Sequence, residues 1–340
     1  MQSKLKEDVV MKKLLVMVIC LAMTLGLLAG CSSGGGSLDT SDASKTSPSE
    51  NAGGDDAYTI YLISMDQVDQ HWVYMNTGCE EAVAELAEEN IKVNYRWLAP
   101  EAKDDAKQIE CINNAVAAGA DAILIAANSM EAPTAALEEA MADGVTVVYV
   151  DSPANAEAVA TVATDNKAAG SEAAKRLLAA LTEEGVTSGT IGIIGVYSST
   201  TSTVSREEGF REVFDKTDFT LMETQYCEGD ASKGQNIASN YITQGVVGIF
   251  ATNEASTIGA GNAVREDGGN VLAVGFDKPA IALELVADGY LVGIMAQNPD
   301  VMGYEGVKAA VTSLTGGTIE NTDIDTGVTV IDASNVADYQ

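Results

Sequence analysis

The stretch "VVGIFATNEASTIGAGNAV" (246–264) decides the fold. Its first six residues are continuously apolar, without the polar alternation of a half-exposed strand. Such a run suits a strand covered on both faces of a parallel sheet. Asn253 and Glu254 then interrupt it, and small and apolar residues follow. "IGAGNAV" reads as close helix packing, since neither GxxxxGK[ST] nor GxGxxG follows any strand in the chain.

The same unit recurs in both directions. Further apolar runs are "YTIYLIS" (58–64), "AILIAA" (122–127), "VTVVYV" (145–150), "TIGIIGV" (190–196), "VLAVGF" (271–276) and "LVGIMA" (291–296). Between them lie amphipathic stretches. In the first, Trp72, Met75, Cys79, Val83 and Leu86 recur at three- and four-residue steps, giving one apolar stripe. Glycines close several helices, as in "AAGAD" (117–121) and "MADGV" (141–145). Trp97 falls at the expected end of the second strand. About ten such alternations predict an α/β protein with doubly wound parallel sheets. Tyr58 to the end spans 283 residues, which favours two domains over one.

The beginning of the chain reads differently. Lys12 and Lys13 precede an apolar stretch from Leu14 to Ala29, shorter than the ~20 residues of a spanning helix. A basic segment, a short apolar segment and small residues make residues 1–30 a signal peptide, with Met11 the more natural start. "LLAGC" (27–31) resembles the lipobox of bacterial lipoproteins, which implies cleavage before Cys31 and its diacylation. Two acyl chains anchor stably where one is marginal. Residues 31–57 are polar and rich in glycine and serine, a flexible tether with nothing to bury.

Without residues 1–30, 15 basic residues face 48 acidic ones, a net charge of −33. That field repels phosphate backbones and anionic lipid, so nucleic acid is not a partner and the membrane is reached only through the lipid. Cys79, Cys111 and Cys227 are odd in number and lack CxxC spacing, so all three read as buried small hydrophobes.

In doubly wound sheets ligands sit beyond the carboxyl ends of the strands. The residues there are Asp66–Trp72, Asn128–Ser129, Asp151–Ser152, Tyr197–Arg206, Glu228–Asp230, Asn253–Glu254, Asp277 and Gln297–Asn298. They include the only histidine, His71, and one of two tryptophans, Trp72. Plainer roles compete. Trp72 starts the apolar stripe of its helix and would serve as core. His71 is off that stripe and would serve as an exposed turn residue. Arg206 could pair with Glu207 or Glu208 at the surface, and Asp151 and Asp277 could cap helices. No GxSxG elbow accompanies His71, so a hydrolase is disfavoured. Asp66, Asp69 and His71 match no standard metal spacing, so no metal or cofactor is expected.

Five segments, "TVVYVDS…ATDN", "SREEGF", "IFATNEASTIGA", "VLAVGFD" and "GIMAQNPDVMG", stand in the order and spacing of periplasmic sugar-binding proteins of the ribose-binding type. The resemblance runs from about Tyr58 to Asp332. The lactose-repressor family is similar too, but no helix-turn-helix precedes the domain here. The resemblance implies two lobes joined by a three-crossover hinge near 163–166, 297–300 and 325–327. Residues 58–163 plus 298–325 would form the N-terminal lobe, and 164–297 plus 326–340 the C-terminal lobe. It implies ligand contacts from Asp69, His71, Trp72, Asp151, Ser152, Arg206, Asn253, Asp277 and Gln297. Ser152 stands where the family has an arginine. Gly229 stands near the family's second stacking ring.

A sugar presents apolar C–H faces and a rim of hydroxyls that both donate and accept. A flat ring and planar Asp, Asn, Gln and Arg groups match it. The expectation is a monomeric, lipid-anchored, extracytoplasmic binding protein that is not an enzyme. It would capture a small neutral sugar or polyol and deliver it to the permease of an ABC importer. The alternative output is a receptor for a membrane sensor, as in autoinducer-2 or sugar signalling.

Overall fold

A computed structural model describes residues 57–340. The signal segment, Cys31 and the tether up to residue 56 lie outside the described residues. The first half runs β1 (Tyr58–Ile63), α1 (Gln70–Glu88), β2 (Val93–Leu98), α2 (Asp105–Ala117), β3 (Ala122–Ile125), α3 (Thr134–Ala142), β4 (Thr146–Val150) and β5 (Ala160–Ala163). The second begins with α4 (Asn166–Glu183), β6 (Gly189–Gly195), α5 (Thr201–Phe214), β7 (Phe219–Leu221), β8 (Gln225–Tyr226) and α6 (Ala231–Thr243). It continues through β9 (Gly248–Ala251), α7 (Glu254–Glu266), β10 (Leu272–Phe276), α8 (Ala280–Ala287) and β11 (Gly293–Gln297). Then come α9 (Pro299–Leu314), β12 (Asp323–Asp325), β13 (Val328–Ile331) and a short 3₁₀ turn at Val336–Tyr339.

Two sheets result. One has the order β12-β5-β4-β3-β1-β2 and is parallel throughout. The other has the order β13-β11-β10-β9-β6-β7, with β8 also on β6. Its edge strand β13 runs antiparallel to β11, the one departure from the all-parallel expectation among the described residues. Central strands such as β3 (AILI) and β9 (GIFA) are buried at every position, which is why their sequences are unbroken apolar runs.

Close helix packing seals each lobe. Helix α9 returns from the second half to pack on α1, and a Cβ at Gly303 would lie 2.1 Å from the Met75 carbonyl oxygen. In "IGAGNAV" a Cβ at Gly259 would lie 2.6 Å from the Ala231 carbonyl of α6, the contact that the small residues permit. Phe210, Phe214 and Phe250 stack in the second core, with 4.1 Å between the Phe210 and Phe250 ring centres. Cys79 and Cys227 are buried, whereas Cys111 is only half-buried, because its face of α2 lies at the edge of the core.

The chain passes between the sheets three times: from β5 to α4, from β11 to α9, and from β12 to β13. Hydrogen bonds tie the three strands of this hinge together. Asp165 N–H donates to Asp325 Oδ1 (2.9 Å), Thr326 N–H to the Ala163 carbonyl (2.9 Å), and Asn298 Nδ2 to the Thr326 carbonyl (2.8 Å). The carboxyl ends of both sets of strands face each other beside the hinge, which is where a site can form.

Candidate functional site

The loop from β1 to α1 is shaped by Asp66. Its Oδ1 accepts from Val68 N–H (2.7 Å) and Asp69 N–H (2.9 Å), a local turn that delivers Asp69 to the start of the helix. Asp69 makes no capping bond. The exposed amides of α1 are capped from the other lobe instead: Glu254 accepts from Gln70 N–H (2.7 Å) and His71 N–H (3.2 Å). Asp69 is thereby left to bind a side chain, and Lys103 Nζ donates to it at 2.8 Å. Lys103 also pairs with Asp66.

His71 sits between the lobes. Its Nε2 is 3.0 Å from Asp151 Oδ2, off the line of a good hydrogen bond, and its Nδ1 is 3.5 Å from Asp277 Oδ1. Asp151 follows β4 and Asp277 follows β10. Both adopt left-handed backbone, with φ of 64° and 69°. A non-glycine residue there is strained, and strain of this kind is found where a side chain must be aimed. Burial opposes charge on His71, but the two aspartates outweigh it and raise its pKa to about 10. At neutral pH it is an imidazolium. Burial alone would raise Asp277; His71, Arg206 and Gln297 together hold it below the usual carboxylate range.

A polar chain continues from Asp277. Gln297 Nε2 donates to Asp277 Oδ1 (2.7 Å), and Arg206 donates to Gln297 Oε1 (2.6 Å). Arg206 also donates to Asn166 Oδ1 (2.8 Å) and the Thr252 carbonyl (2.9 Å), with its guanidinium over Phe276 at 4.2 Å. It is fully buried, not part of a surface pair; Glu207 pairs with Arg211. Asn253 caps α7 in a capping box with Ser256. Its Nδ2 has no partner among the described residues. Neither Asp151 nor Asp277 caps a helix: a strand follows the first, and Pro279 precedes α8 after the second.

Eight of the nine expected residues line one cavity: Asp69, His71, Trp72, Asp151, Arg206, Asn253, Asp277 and Gln297. Trp72 also belongs to the core under α1, so it borders the cavity from the core side. Its buried Nε1 has no partner. Ser152 is the exception. Its backbone is tied by Ala127 N–H, and its hydroxyl accepts from Ser202 N–H across the lobes at 3.3 Å, so it braces the seam. Further seam bonds join Thr200 Oγ1 to the Asn128 carbonyl (2.7 Å) and Thr201 Oγ1 to the Pro153 carbonyl (3.0 Å). The lobes are closed on each other.

Met65, Lys103, Val196, Thr200, Ser202 and Thr203 complete the lining. Lys103 is the important omission from the sequence reading. It restores a cation to a pocket in which Ser152 replaces an arginine. Burial opposes its charge, but Asp69 and Asp66 outweigh that and hold it protonated. The signal was available: "EAKDD" (101–105) follows a strand, as the other site loops do. Asp66, Asp69 and His71 do not converge as metal ligands, since an ammonium holds the two aspartates and His71 turns to Asp151 and Asp277. Nor can His71 act as a base for Ser202 or Thr203 while two carboxylates keep it protonated.

Residues 60–318 match the periplasmic binding protein domain family. The chain belongs to that family. A ribose import binding protein of Bacillus subtilis is 28% identical over 308 residues, covering 89% of this chain and 94% of the relative. One from Haemophilus influenzae is 27% identical over 276 residues, covering 80% and 90%. Among solved structures, a carbohydrate transporter solute-binding protein of Agrobacterium radiobacter in complex with D-arabinose superposes with a TM-score of 0.78. It is 29% identical, over 84% of this chain and 98% of that one. An Agrobacterium vitis solute-binding protein bound to α-D-tagatopyranose gives 0.77 at 28% identity, over 83% and 96%. This binding protein therefore has the two-lobed fold of the ribose type, and its family captures ligands without transforming them.

Proposed function

We propose that the protein captures a neutral monosaccharide between its lobes, outside the cytoplasm, and hands it to a membrane importer while tethered by a lipid on Cys31. One observation carries the reading. Asp69, Asp151, Arg206, Asn253, Asp277 and Gln297 come from both lobes and surround a single buried cavity beside Trp72. Carboxylates, amides and a guanidinium are the groups that bridge adjacent hydroxyls, and an indole covers an apolar sugar face. His71 and Lys103 are each paired with two aspartates, and Arg206 donates to neutral amides and a carbonyl, so no surplus cation calls for an anionic ligand. The ribose-import names of the relatives and the sugars in the Agrobacterium structures support the same class.

The test is a thermal-shift screen of purified protein against pentoses, hexoses, ketoses and polyols, followed by titration calorimetry. At least one monosaccharide should raise the melting temperature and bind one to one. Silence across the panel would overturn the sugar reading. Radiolabelled fatty acid should enter the wild type but not Cys31→Ser, which should leave the membrane fraction; equal label in both would refute the anchor.

A further inference from the structure

We infer that Lys103 closes one end of the cavity and determines specificity, restricting the ligand to a single sugar ring that offers an oxygen acceptor to its ammonium group. The inference rests on the sugar-binding reading and names a selector within that site.

Lys103 lies in the loop between β2 and α2, on the first lobe, yet it reaches the second. A Cβ on Gly229, the residue after Glu228 in the loop before α6, would fall 2.7 Å from Lys103 Cδ. Gly229 has φ of 76° and stands near the position where the sequence resemblance places a stacking ring. A side chain at 229 and the stem of Lys103 would compete for one volume, and here the lysine fills it. Tyr197, also from the second lobe, donates its hydroxyl to the Lys103 carbonyl at 3.1 Å and pins the loop.

The head group is equally fixed. An ammonium has three donors. Asp66 and Asp69 take two, which leaves one for a ligand in the cavity that Lys103 borders. The ammonium also lies 5.9 Å from the centre of the Trp72 ring. A ring lying on Trp72 therefore has a fixed donor close to one edge, and a second ring attached at that edge would collide with the lysine.

The experiment compares wild type, Lys103→Met and Lys103→Arg by calorimetry with D-ribose, D-arabinose, D-tagatose, D-fucose and 2-deoxy-D-ribose. Methionine keeps an apolar stem and removes the donor. Arginine keeps the ion pairs with Asp66 and Asp69, so it remains a test if the methionine variant fails to fold. Lys103→Met should weaken the best-bound sugar about tenfold or more, the worth of a bond to a charged group. Both variants should change the order of affinities across the five sugars. Equal weakening of all five, or none, would mark Lys103 as structural and overturn the inference alone. If wild type binds none of them, the comparison uses the best binder of the thermal-shift panel, and silence across that panel too would overturn the sugar reading and this inference with it.

Discussion

Ligand affinity should fall as pH rises from 5 to 9, and the structure gives the sign. Burial, reinforced by Asp69 and Asp277, pushes Glu254 up to about 8 from its ordinary 4.5. The closed form thus holds a proton on Glu254 at pH values where an opened, solvated carboxyl has lost it. Closing the lobes takes up that proton between pH 4.5 and 8, so closure weakens as pH climbs through this window. His71 acts in the same direction. Its pKa near 10 in the closed form, against an ordinary 6.5, means that closure retains a proton from about pH 6.5 upward. One proton changes affinity by at most ~1.4 kcal/mol, or tenfold, per pH unit. Below pH 6.5 Glu254 acts together with Asp69, which burial also raises, so Glu254→Gln should make the fall there shallower and leave the fall above 7. Calorimetry in buffers of different ionisation enthalpy would count the proton directly. Affinity that is level or rises between pH 5 and 8 in wild type would refute the argument.

Three further outcomes are expected. Arg206→Ala should weaken sugar binding by ~1.5–3 kcal/mol, roughly tenfold to over a hundredfold, because it removes a cavity donor and frees Gln297; unchanged affinity by calorimetry would rule out that role. In a Trp97→Phe background, Trp72 emission should shift on saturation with ligand, and a flat spectrum would count against stacking. Gly303→Ala should lower stability by ~1–3 kcal/mol or more in urea denaturation, since the new methyl meets the Met75 carbonyl; a midpoint equal to wild type would mean that α1 and α9 are not so tightly packed.

Strands buried on both faces were legible in the sequence because nothing polar interrupts them, as in "GIFA" and "AILI". The edge strand β12 (DID) was not, because two aspartates break its pattern. β2 (VNYRWL) was placed by its end at Trp97 although Asn94 and Arg96 turn toward solvent. Leaving out the loop that follows it concealed Lys103. The eight cavity residues were legible because seven lie at or just beyond the end of a strand or at the start of a helix, Arg206 lies one turn further on, and the family resemblance singled them out among their neighbours. Glu254 capping α1 was not, since the two partners are 183 and 184 residues apart and no local pattern links them. Ser152 was placed correctly in the chain but faces the seam, a matter of which way a single short side chain points.

The threefold passage of the chain between the sheets also sets a schedule. As the polypeptide emerges from the ribosome, the first lobe still lacks the helix that covers α1 and the strand that ends its sheet; the second lacks its antiparallel edge. Residues Pro299–Ile331 supply all three, and they are made almost last. Neither half can complete its packing ahead of the other, so both lobes lock together only when roughly the last tenth of the chain is in place.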